Sequence, residues 1–240
     1  SVFSLLREGR EATLKADALD DAFLECDIHG AIELPETVDA VMSDNSLQQV
    51  PVTWELDAQQ EEQMHRAGPA SYEIRGQAQG LEALCHVNMI ELNYLENGDF
   101  ETGSQEPWTV TERGKADQIY PENKVGDSLD GKWHMHFWSA AENSVDFSLE
   151  QTVEDLPAGT YKYAVSIMGG DGGETEIFAY VKLDGEIVAT SPLEITVWDS
   201  WDTAWIRGIA VQEGQSVTVG ISVKCQGAGN GAWGKIDGAM

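Results

Sequence analysis

The sequence predicts an all-β protein built from two successive sandwiches, and two observations carry that expectation. From about residue 23 onward the chain breaks into short runs of alternating apolar and polar residues, split by Gly, Pro, Asn and Asp, which is the pattern of strands and turns. The clearest runs hold period two. Tyr161, Tyr163, Val165 and Ile167 alternate with Lys162, Ala164, Ser166 and Met168, and Val217, Val219, Ile221 and Val223 alternate with Thr218, Gly220, Ser222 and Lys224. One face of each run is expected to be core and the other wet.

The elements follow in order. Residues 4–22 hold the one amphipathic helical spacing, with Leu5, Leu6, Ala12, Leu14, Ala18 and Leu19 among charges, so this stretch is expected to be helix or linker, the tail of a preceding domain. Runs at 37–43, 50–54, 71–76 and 84–92 then mark a domain over 23–93, the size of a small immunoglobulin-like sandwich. A second all-β block, 94–240, holds seven of the eight Trp and most of the Gly. Its expected strands at 132–139, 145–152, 159–168, 175–183, 205–211 and 216–224, joined by turns such as LDG and PAG, imply a two-sheet jelly roll.

The formal charge of −28 repels polyanions, which makes nucleic acid and anionic lipid poor partners and leaves divalent cations and neutral ligands such as glycans. No stretch approaches the roughly 18 apolar residues of a membrane span. The chain begins with Ser and without a secretory signal, so it reads as a segment of a longer polypeptide, with a monomer as the default state. Three Cys are too few for a disulfide framework. Cys26 and Cys85 fall in the first and last strands of the small domain, where either a disulfide or free buried thiols fits, and Cys225 reads as a lone thiol.

Aromatic placement is the most informative feature of the second block. In KWHMHFWS (132–139), alternation puts Trp133, Met135 and Phe137 on one face, read as core, and His134, His136 and Trp138 on the other. An indole flanked by polar rings suits a sugar, because the π face takes C–H groups and the ring nitrogens bond hydroxyls. Buried Trp with satisfied His is the competing interpretation. VWDSWDTAW (197–205), with Trp198 and Trp201, is too polar for a buried strand and reads as a loop or strand edge, while Trp233 sits amid glycines that leave its indole as the main available surface. Asp171, in GGDGG, could bond sugar hydroxyls or be an ordinary turn residue. NGDFE (97–101) and KIDG (235–238) hold Glu101 and Asp237, candidate ligands for a hard cation such as calcium, with carbonyls near Asp99, Asp130 and Lys132 as additions and plain surface charge as the alternative. No nucleophile elbow, phosphate loop or zinc-helix motif is present.

NGDFE followed by Trp108, then HFWSA (136–140), DFSLEQTV (146–153), LPAGTYKYAVSIMGGDGG (156–173) and AWGKIDG (232–238), together resemble family 61 carbohydrate-binding modules over residues 94–240. That resemblance implies a calcium-bearing jelly roll that binds β-1,4-galactan and is appended to a family 53 endo-β-1,4-galactanase. It also implies calcium at Glu101 and Asp237, and sugar contacts from His136, Trp138, Asp171, Trp201 and Trp233. LPETVDAVMSDNSLQQVPVTWE (34–55) and RAGPASYEIRGQAQG (66–80) resemble the bacterial immunoglobulin-like domains used as spacers in secreted polysaccharide enzymes. The expectation is therefore a non-catalytic, secreted fragment that targets an attached hydrolase to a neutral galactan-type polysaccharide. An adhesin-type structural segment and a glycan-cleaving enzyme are the rival readings.

Overall fold

The computed structural model describes residues 13–140, 144–226 and 231–240. It divides into two compact units, Ser1–Leu92 and Asn93–Met240.

In the first unit, β1 (Ala16–Leu19), β3 (Thr37–Met42) and β4 (Leu47–Pro51) form one sheet in the order β1-β3-β4. A second sheet runs β2-β7-β6-β5, from β2 (Ala22–Asp27), β5 (Thr53–Trp54), β6 (Ala70–Ala78) and β7 (Leu81–Ile90), with β2 parallel to β7. Val38, Ala40, Met42 and Val50 form one apolar cluster, and Ile74, Cys85, Val87 and Met89 form another. The Trp54 ring packs against both, and its Nε1–H donates to the Pro35 carbonyl at 2.7 Å.

One expectation for this unit is corrected. Residues 16–19, read as helix or linker, are an edge strand, because Ala16 and Ala18 pair with Met42 and Val41 and Ala16 is buried against the β3 core. Long-range pairing overrides the local helical spacing. Residues 4–12 of that stretch lie outside the described residues. The helix is instead α1 (Ala58–Ala67), started by a reciprocal cap in which Asp57 accepts from the Gln60 N–H and Gln60 accepts from the Asp57 N–H. Met64 is its one buried residue, so it carries almost no apolar period to read. Of the two alternatives open for Cys26 and Cys85, the structure has free thiols. Cys85 pairs with Ala22 while Cys26 pairs with Met89, an offset of about 13 Å along the strands, and all three cysteines are free.

The second unit is a sandwich of two antiparallel five-stranded sheets. Its strands are β8 (Thr109–Glu112), β9 (Gln118–Asn123), β10 (Trp133–Trp138), β11 (Val145–Val153), β12 (Gly159–Gly170), β13 (Thr175–Leu183), β14 (Glu186–Pro192), β15 (Trp201–Val211), β16 (Val217–Cys225) and β17 (Trp233–Asp237). One sheet has the order β15-β12-β17-β10-β9 and the other β14-β13-β16-β11-β8. Met135, Phe137, Ile167 and Ile236 from the first pack with Phe147, Leu149, Ile221 and Val223 from the second. Phe137 and Phe147 meet edge to face at 5.4 Å. Asp184 and Gly185, both at positive φ, make the two-residue turn between β13 and β14.

The alternation in β16 holds: Val217, Val219, Ile221 and Val223 join the core. The expected wet face of β12 does not. Ala164, Ser166 and Met168 are buried on the side away from the core. The segment after β14 reaches this side at Met168, whose Sδ accepts from the Asp199 N–H at 2.9 Å. Ser166 Oγ is satisfied by Thr203 Oγ1 at 2.8 Å.

Candidate functional site

Register alone sorts the outer face of the β15-β12-β17-β10-β9 sheet into three rows. One row runs Gln118, Trp138, Trp233, Gly170 across β9, β10, β17 and β12. The next runs Tyr120, His136, Lys235, Met168, Trp201 across all five strands. A third contains Glu122 and His134, with Asp237, Ser166 and Thr203 continuing it. The first row is open: Trp138 and Trp233 are half-buried, and Gln118 is exposed. Gly170 matters here because a Cβ at that position would stand 3.1 Å from the Trp233 ring, so its absence lets the indole lie close over β12.

The second and third rows hold a buried polar network. Lys235, 5% exposed, donates to Glu122 Oε2 and, at 2.6 Å, to His136 Nδ1. His136 Nε2 lies 3.1 Å from Gln118 Oε1, and Tyr120 leans on the His136 ring at 5.1 Å. His134, fully buried, bonds Glu122 at 2.9 Å and Ser128 at 2.9 Å. Burial, reinforced by the Lys235 cation, pushes His136 down to about 4, so its ring is neutral at ordinary pH. Burial opposes the Glu122 charge, but Lys235 and His134 hold it below the usual carboxylate range. Asp127 completes the network. Burial works against its charge as well, yet Lys124 at 2.7 Å and the Trp198 indole N–H at 3.2 Å keep it ionised.

The sequence candidates separate accordingly. His136, Trp138, Trp201 and Trp233 share this face. Trp198 reaches it from the segment before β15, with its Nε1–H held by Asp127 and its ring 57% exposed. Asp171 follows Gly170 directly, exposed and at φ 53°. Trp133 packs partly against the core, and His134, expected beside the platform, is a buried structural residue under the 124–130 segment. Sequence reasoning missed Gln118, Tyr120, Glu122, Asp127 and Lys235. The i, i+2, i+4 spacing of Gln118, Tyr120 and Glu122 was the one available signal.

The metal candidates come from three segments that meet. The Ala239 N–H donates to the Gly98 carbonyl at 2.9 Å, and the Leu129 N–H donates to Asp237 Oδ2 at 2.9 Å. Asp237 is 1% exposed; burial pushes its carboxyl up to about 7, backbone N–H groups pull it down, and the nearby Asp99 charge adds to the rise. A buried acid beside another acid fits a cation. Glu101 is committed differently, since its Oε1 accepts from the Lys132 and Trp133 N–H groups at 2.6 and 2.7 Å. Asp130 accepts from the Gly131 N–H, and the Lys132 carbonyl accepts from the Lys124 N–H. Among the described residues no group of three His, Cys, Asp or Glu side chains is arranged to hold a metal ion.

A separate open depression of about 650 Å³ lies on the first unit, lined by Phe23, Glu25, Ser71, Glu73, His86 and Asn88 among others. It offers one exposed ring, Phe23, with one face already stacked on His86 at 4.9 Å, and so lacks the paired indoles of the second unit. Among the described residues no helix is long and apolar enough to cross a membrane.

Residues 26–81 match the family model of the bacterial Ig-like domain, group 4. No curated protein matches the chain. Among solved structures, TmCBM61 in complex with β-1,4-galactotriose is 32% identical at a TM-score of 0.54, with 62% of this chain and 97% of that chain covered. A carbohydrate-binding module of the β-sandwich superfamily is 12% identical at TM-score 0.45, covering 96% of this chain and 98% of that one. The active domain of a bacteriophage CBA120 tailspike is 13% identical at 0.46, covering 63% and 22%. Only the first of the three carries weight. At that identity over nearly the whole of the relative, the chain belongs to family 61 of the carbohydrate-binding modules, here preceded by a bacterial immunoglobulin-like domain.

Proposed function

We propose that the second unit binds β-1,4-linked galactan and thereby holds an attached endo-β-1,4-galactanase, in a secreted multidomain protein, on its substrate. The observation that carries this reading is the open row in which Trp138 and Trp233 stand opposite each other on adjacent strands, both half-buried, with Gly170 beside the second indole. Two adjacent indoles suit successive hexose units, each stacking through its C–H face. The relative's complex with β-1,4-galactotriose supports galactan as the glycan. Trp201, Trp198 and Asp171 flank the row as further contacts, and His136 presents the face of a neutral imidazole whose two nitrogens are bonded within the protein. Galactan is uncharged, so the −28 formal charge does not oppose it. Tethering raises the enzyme's effective concentration at the polymer.

Calcium is proposed as a structural ion, held by Asp237 and Asp99 with backbone carbonyls of the 97–101 and 128–132 segments, including those at Asp130 and Lys132, and with the second oxygen of Glu101. It would neutralise the buried Asp237 carboxylate and tie the chain end to those segments.

The binding test is affinity electrophoresis: the chain is retarded in gels containing β-1,4-galactan and runs freely in gels of β-glucan. Unretarded migration in galactan overturns the reading. Release of new reducing ends by the chain alone would favour the enzyme reading instead.

A further inference from the structure

We infer that Gln118 is a further sugar-contacting residue and that Lys235, acting through His136, fixes which end of the Gln118 amide faces the ligand. This rests on the indole row being the sugar platform.

The argument is one of proton bookkeeping. A Lys ammonium has hydrogens to give and no lone pair to accept with. Lys235 Nζ is 2.6 Å from His136 Nδ1, so Nδ1 must be the accepting nitrogen and the neutral ring carries its proton on Nε2. His136 Nε2 lies 3.1 Å from the Gln118 amide, and a donor there must meet the amide oxygen. The Gln118 NH2 is the end that remains. Among the described residues no hydrogen-bond acceptor stands against it, and Gln118 itself is exposed.

The place of that NH2 is set by register. Gln118 on β9 is directly opposite Trp138 on β10, and Trp138 is directly opposite Trp233 on β17. The amide therefore ends the row of indoles with two outward donors. An unrestrained glutamine presents oxygen or nitrogen at will, but here the choice is imposed from a buried charge two side chains away. Lys235 is 5% exposed, and a cation placed so deep is offset by Glu122 and by the lone pair of His136. The low pKa of His136 keeps the ring neutral across ordinary pH, so the relay does not reverse. A hexose stacked on Trp138 would accept from Gln118 through a hydroxyl oxygen at its edge, which makes Gln118 a specificity-determining contact and Lys235 a positioning residue.

Two measurements test this. Long-range ¹⁵N correlation of the imidazoles should show His136 as the Nε2–H tautomer with and without sugar. Titration calorimetry with β-1,4-galactotriose should show Gln118→Glu, which keeps the acceptor for His136 and loses the donors, and Gln118→Met, which loses both, each about tenfold weaker than the native chain, the size of one hydrogen bond. Both variants should stay folded, residue 118 being an exposed edge-strand position, with the melting temperature unchanged in Gln118→Glu and lowered by a few degrees in Gln118→Met, where the His136 Nε2–H loses its acceptor. Lys235→Met should weaken binding and mix the His136 tautomers; if it does not fold, the Gln118 pair decides alone. An Nδ1–H tautomer in the native chain, or Gln118 variants that bind within twofold of it, overturns the inference while leaving the platform intact. A native chain that binds no galactotriose overturns the platform reading and this inference with it.

Discussion

The two outer faces of the second sandwich are built from the same strand grammar and finish their polar groups in opposite ways. On the β14-β13-β16-β11-β8 sheet, polar side chains satisfy one another. Arg113 bonds Asp146, Ser148 and Ser222; Tyr180 and Lys182 both bond Glu150 at 2.6 Å; Thr152 bonds Thr218 at 2.7 Å. On the opposite sheet, polar groups are bonded only as far as Gln118, and the neighbouring indoles stay half-buried. The difference teaches what to look for in a binding face. Aromatic content alone does not mark it, since Phe178 and Tyr180 also lie on the closed face. What marks it is aromatic surface left open beside a hydrogen-bond chain that ends at solvent.

The largest effect that would sharpen the contrast is in pH. Folded His136 stays neutral down to about pH 4, whereas the unfolded side chain takes a proton near its ordinary 6.5, and His134 is shifted in the same direction. At His136 the unfolded chain therefore takes the extra proton in that window, and the His136 contribution to stability falls as pH drops from 6.5 toward 4, on the order of 3 kcal/mol, while Asp237, pushed up to about 7, acts in the opposite sense. Glu150, the acid at the centre of the closed face, is held below its usual 4.5 and loses its contribution only at lower pH. Urea melts across this range should show the higher window flattened in His136→Gln and retained in Glu150→Gln. A chelator comes next. Loss of calcium should cost about 2–3 kcal/mol, or roughly 5–10 °C in melting temperature. Calorimetry of Asp237→Asn should show no response to chelator, while Arg113→Met on the closed face keeps the full response.

Trp138→Ala should weaken galactan binding by about 2 kcal/mol, roughly thirtyfold. Phe178→Ala should leave it unchanged, and calorimetry that found equal losses would erase the distinction between the faces. The smallest expected effect is that of Arg113→Met, about 1 kcal/mol or less in a denaturant melt for a half-exposed ion pair, with no change in affinity.

The sandwich was legible because β11, β12 and β16 alternate cleanly, and a two-residue period can be read from within a strand. His136, Trp138 and Trp233 were legible as aromatics in polar company. Gln118 and Lys235 were not, because nothing local in QIYPEN or WGKID says that either is a neighbour of His136; Lys235 is brought there by pairing across 99 positions. The buried outer face of β12 was hidden for the same reason, its cover at Met168 coming from the segment around Asp199. In the first unit, Ala16–Leu19 has helical spacing but a strand partner, and α1 has caps but almost no apolar stripe.

The Trp138–Trp233 alignment has a bearing on quality control. Sliding β17 by a single position against β10 would send Trp233 toward the hydrophobic interior and bring Gly234 outward. Misfolded copies would then have no shelf to offer a saccharide, so retention on an immobilised polysaccharide would sort correctly threaded molecules from the rest.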